Sequence, residues 1–270
     1  MQKNLNMKEI AAELNLGEDS FVFVDDNPAE RKIVMDYNPL IAVPEIDVPE
    51  NYIKILDRNG YFEVTSLTKE DLEKSKAYKE NAIRYQYMTN FDDYDEYLKS
   101  LKMIAEIKTF NSAYFDRIEQ LINKSNQFNL TTIRYSRADI EKIAKDENKI
   151  TLYGSLSDVF GDNGLVTTII GNIKNETELH IDLWLMSCRV LKRNMEYAML
   201  DSLVKKAKER NIKYIYGYYY PTNKNKMVSN FYLEQGFTEL NVDDLGNKTY
   251  KLEIDNYEKM NNVIEVNDNE

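Results

Sequence analysis

The sequence has one cysteine and one histidine in 270 residues. A single cysteine cannot close an internal disulfide, which points to a reducing, cytoplasmic setting. One histidine with one cysteine argues against a structural zinc site, which takes four such ligands. No apolar run approaches the roughly 20 residues that a membrane helix needs. The first twenty residues, "MQKNLNMKEIAAELNLGEDS", are amphipathic and lack the apolar centre of a signal peptide. Basic charge is not in excess either: 35 Lys+Arg face 46 Asp+Glu, a net charge of −11. That balance argues against nucleic acid or an anionic membrane as the main partner, and leaves room for a local basic pocket. What is present is 43% apolar and 30% charged residues, the mix of a soluble globular protein. The length suits one large domain or two modest ones. The 20 tyrosines read as core and surface filler.

Hydrophobic spacing gives the coarse organisation, an α/β chain. Met7, Ile10, Ala11 and Leu14 share a helical face. "FVFV", 21 to 24, is the unbroken apolar run of a buried parallel strand. Asn27 then caps a helix with Pro28 at its first position, and "LIAVPE" reads as a second strand stopped by Pro44. This partial, Rossmann-type βαβ segment is taken to occupy 1–61. A second domain is expected over 62–254. It opens with a capping arrangement at Thr68 and Asp71, followed by helices around 66–88, 92–101 and 114–124. Gly154, Gly161, Gly164, Gly171 and Asn175 punctuate three β-branched runs, an antiparallel meander. A helix from Met195 to Arg210, a strand "KYIYGYYY", a helix from Lys226 to Gln235 stopped by Gly236, and a strand "KTYKLEI" follow. Residues 255–270, acidic and Asn-rich, read as a flexible tail.

Two constellations carry chemistry. Asp25 and Asp26 stand at the carboxyl end of the first apolar strand, where ligands bind in open α/β sheets. Two carboxylates there suit Mg²⁺, or else form an acidic turn that caps the next helix. The second is "LWLMSCRVLKRN", 183 to 194. An apolar strand ends at Cys188, and a basic turn runs into a helix. Backbone N–H groups and the positive end of a helix dipole attract phosphate in such a place. The same field lowers a thiol's pKa, so Cys188 is either a working nucleophile or an inert buried thiol. Asn126, Gln127, Asn129 and Thr131 offer amides and a hydroxyl for a hydroxylated acyl group or pantetheine. Alternatively, they belong to a loop held by its own Asn and Thr side chains. Asp162 and Asn163 read as a hairpin turn, and His180 is assigned no role.

These motifs carry a family resemblance. "VFVDDNPAER", with "VPE" after it and "KNLNMKEIAAELNL" before it, resembles the end of the HAD-superfamily phosphatase domain of FkbH-like proteins. "NKSNQFNLTTIRY", "DVFGDNGLV", "WLMSCRVLKRNMEYAML" and "FYLEQGF" resemble that family's second half, a GNAT-like acyltransferase domain. The resemblance implies a remnant of a HAD-like domain, with Lys3 as its phosphate-neutralising lysine, followed by a GNAT-like mixed α/β domain. The strand-borne DxD nucleophile is missing, since "DYD" at 93–95 lies in a helical stretch. The chain is therefore expected not to be a phosphatase unless a separate chain carries the first half. In the GNAT-like part, the phosphate turn Q/R-x-x-G-x-G/A corresponds to Arg189, Val190, Leu191, Lys192, Arg193 and Asn194, with both glycines replaced. Tyr232 falls on the tyrosine that protonates a departing thiolate.

The implied activity moves a glyceryl-type acyl group onto the phosphopantetheine thiol of an acyl carrier protein, with Cys188 holding it as a thioester on the way. Coenzyme A is the other candidate cofactor, and Mg²⁺ is a candidate at the HAD remnant. The rival readings are a non-catalytic carrier-docking scaffold and an acetyl-CoA-dependent N-acetyltransferase; the bulk of Lys192 argues against the second.

Overall fold

The computed structural model describes residues 2–14, 16–46, 48–63 and 69–267. The chain divides into two compact units, Met1–Ala82 and Ile83–Glu270. The division falls inside the helix Lys69–Met88. Thr68, proposed as a cap, lies outside the described residues.

In the first unit α1 is Lys3–Leu14, α2 is Pro28–Tyr37 and α3 is Tyr52–Arg58. Helix α2 starts as its sequence dictates: the Asn27 side chain accepts the Ala29 N–H at 2.9 Å, with Pro28 at the first position. The two expected strands are reduced to one parallel bridge, Val22 with Ala42. Ala42 donates to Phe21 and accepts from Phe23. The next rung needs an N–H from residue 44, and Pro44 has none, so the ladder stops.

In the second unit the elements after α4 (Lys69–Met88) are α5 (Tyr94–Ser100), β1 (Met103–Lys108), α6 (Phe115–Lys124), α7 (Arg137–Ala144), β2 (Lys149–Asp158), β3 (Gly161–Asn175), β4 (Glu178–Met186), α8 (Met195–Glu209), β5 (Tyr214–Tyr219), α9 (Phe231–Glu234), β6 (Thr238–Val242), β7 (Lys248–Glu253) and β8 (Ile264–Asn267). Among the described residues they build one eight-stranded mixed sheet, ordered β6-β7-β5-β4-β3-β2-β1-β8. The antiparallel meander β2–β3–β4 is its centre. Alternation along the strands, reset by bulges in β3 and β4, sends Leu152, Val166, Ile169, Ile181 and Trp184 to one face, where α8 packs. Tyr153, Leu165, Ile170, Leu183 and Leu185 go to the other face, against Phe115, Ile118, Ile122 and Ile140 of α6 and α7. The meander is thereby covered on both sides.

Two expectations need correction. The segment read as a flexible tail ends in β8, which pairs parallel with β1 from Met103↔Ile264 to Glu106↔Asn267. Ile264 is buried there and the Asn261 side chain ties the approach, so apolar contact overrides an acidic composition. The helix expected from Lys226 to Gln235 is only Phe231–Glu234, preceded by a single 3₁₀ turn at Lys226–Val228. The buried Asn225 spends its side chain on Thr222, Asn129 and Tyr220, which holds the chain out of helical geometry until Asn230. The stop at Gly236 is as expected, with φ at +81°.

Candidate functional site

The turn at the end of β4 is held from below and from the side. Ser187 donates its N–H to Val166 at 2.7 Å, and its hydroxyl accepts from the Arg189 N–H at 3.4 Å and Nε at 3.3 Å. Val190 is buried as the anchor of a 3₁₀ turn, Cys188–Val190. Beyond it, Lys192 has φ +63° and Asn194 φ +61°. These are the two positions that the resemblance reserves for glycine. The backbone therefore keeps the left-handed conformation that glycine would make easy, although both residues carry side chains.

The 15-residue helix α8 begins directly after it. Its N-cap, Asn194, makes no side-chain bond to the first turn. Among the described residues no acceptor meets the N–H of Lys192, Asn194 or Met195. The helix thus presents open donors and the positive end of its dipole. Beneath the turn, Asp158 at the end of β2 is wholly buried and receives Arg84 through Nε at 2.7 Å and Arg193 at 3.1 Å. Arg193 also donates to the Arg189 carbonyl at 3.0 Å. Two arginines thus share one buried carboxylate under the turn. Burial and the neighbouring Arg84 bring Arg193 down to about 10, still protonated at neutral pH. Tyr94 of α5 donates to the Lys192 carbonyl at 2.6 Å and braces the outer side.

Cys188 stands beside this turn, half-buried. The field of Arg189 acts in the expected direction, but burial outweighs it and pushes the thiol above its ordinary value. The expectation of a lowered thiol pKa is therefore reversed. Tyr232 also departs from expectation. It is fully buried among Trp184, Phe231, Phe237 and Tyr250, with its ring lying over Gly217, where a Cβ would come within 2.5 Å of it. Its hydroxyl lies near the Tyr218 backbone without a well-formed hydrogen bond, and burial raises the phenol far above the range of a thiol. A phenol so placed is a poor match for protonating a thiolate.

The amide-rich loop resolves in favour of structure. Phe128 to Thr131 form a wedge between β4 and β5. These two strands pair only at Glu178–His180 with Tyr214–Tyr216 and then part. Leu130 donates to Trp184 and accepts from Tyr220, while Met186 donates to Phe128. Thr131 gives its hydroxyl to the Asp182 carbonyl at 2.8 Å. Asn129 is buried, accepting from Thr132 and donating to Ser125, and its carbonyl accepts from Asn225 at 2.9 Å. Asn126 is exposed and accepts from Arg134. Gln127 is only part-buried. So Asn126, Asn129 and Thr131 hold their own loop, and the edge of β4 facing the fork is already bonded.

At the other constellation Lys3 meets the Asp25 carboxylate. The Asn27 N–H also bonds Asp25 at 2.9 Å, and the Lys3 ammonium holds its carboxyl below the usual range. Asp26 is exposed. Asp25 and Asp26 are the two carboxylates that would hold a Mg²⁺ once the HAD site is completed, and no group of three carboxylate, His or Cys ligands converges among the described residues.

No family model matches the sequence, and no curated protein matches it. Solved structures do. The ribosomal-protein-S18-alanine N-acetyltransferase of Escherichia coli aligns with 56% of this chain and 94% of its own, at 11% identity and TM-score 0.43. Ard1 of Thermoplasma volcanium aligns with 55% and 97%, at 18% identity and TM-score 0.42. N-acetylglutamate synthase of Neisseria gonorrhoeae, in complex with coenzyme A and N-acetyl-glutamate, aligns with 56% and 35%, at 14% identity and TM-score 0.43. At such scores the functional reading has to come from this chain's own geometry. Among the described residues no helix is long and apolar enough to cross a membrane.

Proposed function

We propose that the turn from Arg189 to Asn194 holds the phosphate of a pantetheine arm, and that the chain is a GNAT-like acyltransferase working on the thiol of that arm. The arm belongs to coenzyme A or to an acyl carrier protein, and the transferred group is of glyceryl type. One observation carries the reading. Lys192 and Asn194 hold left-handed backbone at the start of a 15-residue helix whose N-terminal donors are open, above a buried pair of arginines. Non-glycine residues kept in that conformation are strained, and strain is retained where it shapes a site. Arg189 and Lys192 add charge for the phosphate. On this reading the transfer runs directly between donor and acceptor, since burial raises the Cys188 thiol and Tyr232 lies in the core.

The test is calorimetric titration with coenzyme A and with phosphopantetheine, using the wild type, Asn194→Gly and Asn194→Val. Both ligands should bind the wild type and the glycine variant alike. The β-branched variant should bind roughly 5- to 30-fold more weakly, the equivalent of about 1–2 kcal/mol for a bulky left-handed residue. No heat with either ligand would sink the reading. Tighter binding of a pantetheinylated carrier than of coenzyme A would assign the arm to a carrier.

The wedge favours a second reading, a carrier-docking module that holds the phosphate and does not admit the thiol. It predicts carrier binding without thiol release from an acyl-loaded carrier.

A further inference from the structure

We infer that Tyr218, His180 and Glu178 form a proton relay at the fork between β4 and β5, with Tyr218 Oη as the base toward the incoming acceptor. His180, the single histidine of the chain, lies on β4 in register with Tyr216 of β5. Its ring stacks on that of Tyr216, centroids 4.6 Å apart and planes within 16°. Nδ1 stands 2.5 Å from Tyr218 Oη. Nε2 stands 3.9 Å from Glu178 Oε2. Glu178 in turn accepts from Tyr216 Oη at 3.3 Å and from Asn175 at 2.7 Å, which fixes its carboxylate.

Among the described residues Nε2 has no hydrogen-bond partner, and Glu178 faces it beyond hydrogen-bond reach; the relay places the ring proton on Nε2, with Nδ1 accepting from Tyr218. Burial keeps the imidazole below its ordinary pKa, hence neutral and able to take a proton at neutral pH. Glu178, Asp182 and Lys174 are the charged groups that act on it, the two carboxylates favouring imidazolium and the lysine opposing it.

The location adds a second argument. Tyr214, Tyr216 and Tyr218 alternate along β5 on one face, and Tyr220, 39% exposed, follows at the strand's end. Lys251 Nζ sits 3.6 Å from the Tyr214 ring, so the inner end of the ladder is closed by a cation. Its outer end, Tyr218 and Tyr220, lies beside the wedge at the place where β4 and β5 separate. Tyr218 stands on that face just past the last paired residues, His180 and Tyr216.

The step rests on the acyltransferase reading and balances as follows. The acceptor's S–H proton passes to Tyr218 Oη while the Tyr218 proton passes to His180 Nδ1. The sulfur bonds the acyl carbonyl carbon, and the bond from that carbon to the donor's leaving group breaks. The leaving group takes the electron pair and then the proton, which returns by the same path. Glu178 stabilises the transient imidazolium. Tyr218 touches the reacting atoms, whereas His180 and Glu178 act through it.

A probe that needs neither the turn nor a known acceptor tests the relay. The protein is treated with p-nitrophenyl acetate at pH 7.5, and acetylated tyrosines are mapped by peptide mass spectrometry. Tyr218 should be acetylated at least about a hundredfold faster than Tyr220, the low end of what a positioned base contributes. His180→Asn should bring Tyr218 down to the rate of Tyr220, and Glu178→Gln should fall between. A Tyr218 rate equal to that of Tyr220, or one untouched by His180→Asn, overturns the relay. The sole imidazole also gives one isolated set of ¹⁵N resonances, so the wild type needs no variant. An unprotonated Nδ1 supports the relay, and an Nδ1–H tautomer overturns it. Coenzyme A titration of the same samples separates the two claims. Failure to bind sinks the phosphate turn and leaves the Tyr218 result standing.

Discussion

Glu196 sits in the first turn of α8 with Oε2 buried and unpartnered, and burial raises its carboxyl above the ordinary 4.5. Over the window from about 4.5 up to that raised value, the folded chain binds more protons than the unfolded one. By linkage, stability then falls as pH rises through the window and stays lowered above it. Glu196→Gln should therefore melt higher than wild type at pH 7 and equally near pH 4. A melting temperature at pH 7 that drops in the variant counts against this. His180 behaves in the opposite sense. Its folded value lies below 6.5, so its contribution is intact above 6.5 and is lost as pH falls below it. Cys188, the one thiol, should alkylate with a midpoint above that of a free cysteine, and a lowered midpoint would restore it as a nucleophile. At this scale the sequence was a good guide to residue types and a poor guide to environment. Arg189 and the turn were legible as charge before a helix. The burial of Tyr232 was not, because its seal comes from Trp184, Gly217 and Tyr250, far away in the chain.

Among elements, the wedge Phe128–Thr131 depends on Asn225, whose amide bonds the Asn129 and Tyr220 carbonyls at 2.9 Å each. Asn225→Ala leaves those buried carbonyls short of a donor, which costs about 1–3 kcal/mol. The expected signature is faster amide exchange at Leu130, with exchange in β2 and β3 changed only by the global loss. Uniform acceleration would mean that the wedge is not a separate unit. The amide-rich loop allowed two readings from sequence, and the self-bonded one holds for Asn129 and Thr131. Helix α7, which opens on a Ser136–Asp139 capping box, and strand β1 were not read from the sequence. Strand β6, exposed at every position, offers no apolar alternation to read. The meander was legible because glycines and β-branched runs mark its turns and strands.

Across the whole second unit, Asp158 joins three distant pieces of chain: Arg84 from α4, the end of β2, and Arg193 from the phosphate turn. Asp158→Asn removes the carboxylate that the buried Arg84 and Arg193 share. Loss of about 3–5 kcal/mol is expected by denaturant unfolding, with coenzyme A binding lost even where the fold survives. Retained binding in a folded variant would detach the triad from the site. Such long-range pairing was invisible in the sequence, where Arg84, Asp158 and Arg193 each look like ordinary surface charge. The same holds for β8, which reaches β1 across 161 positions, 264 minus 103. During synthesis at about 5–20 residues per second, roughly 8 to 30 seconds separate the emergence of these two strands from the ribosome. Throughout that interval the outer rim of β1 has no native neighbour, so nascent chains are held back from sticking to one another by kinetics or by chaperones, and not by the finished sheet.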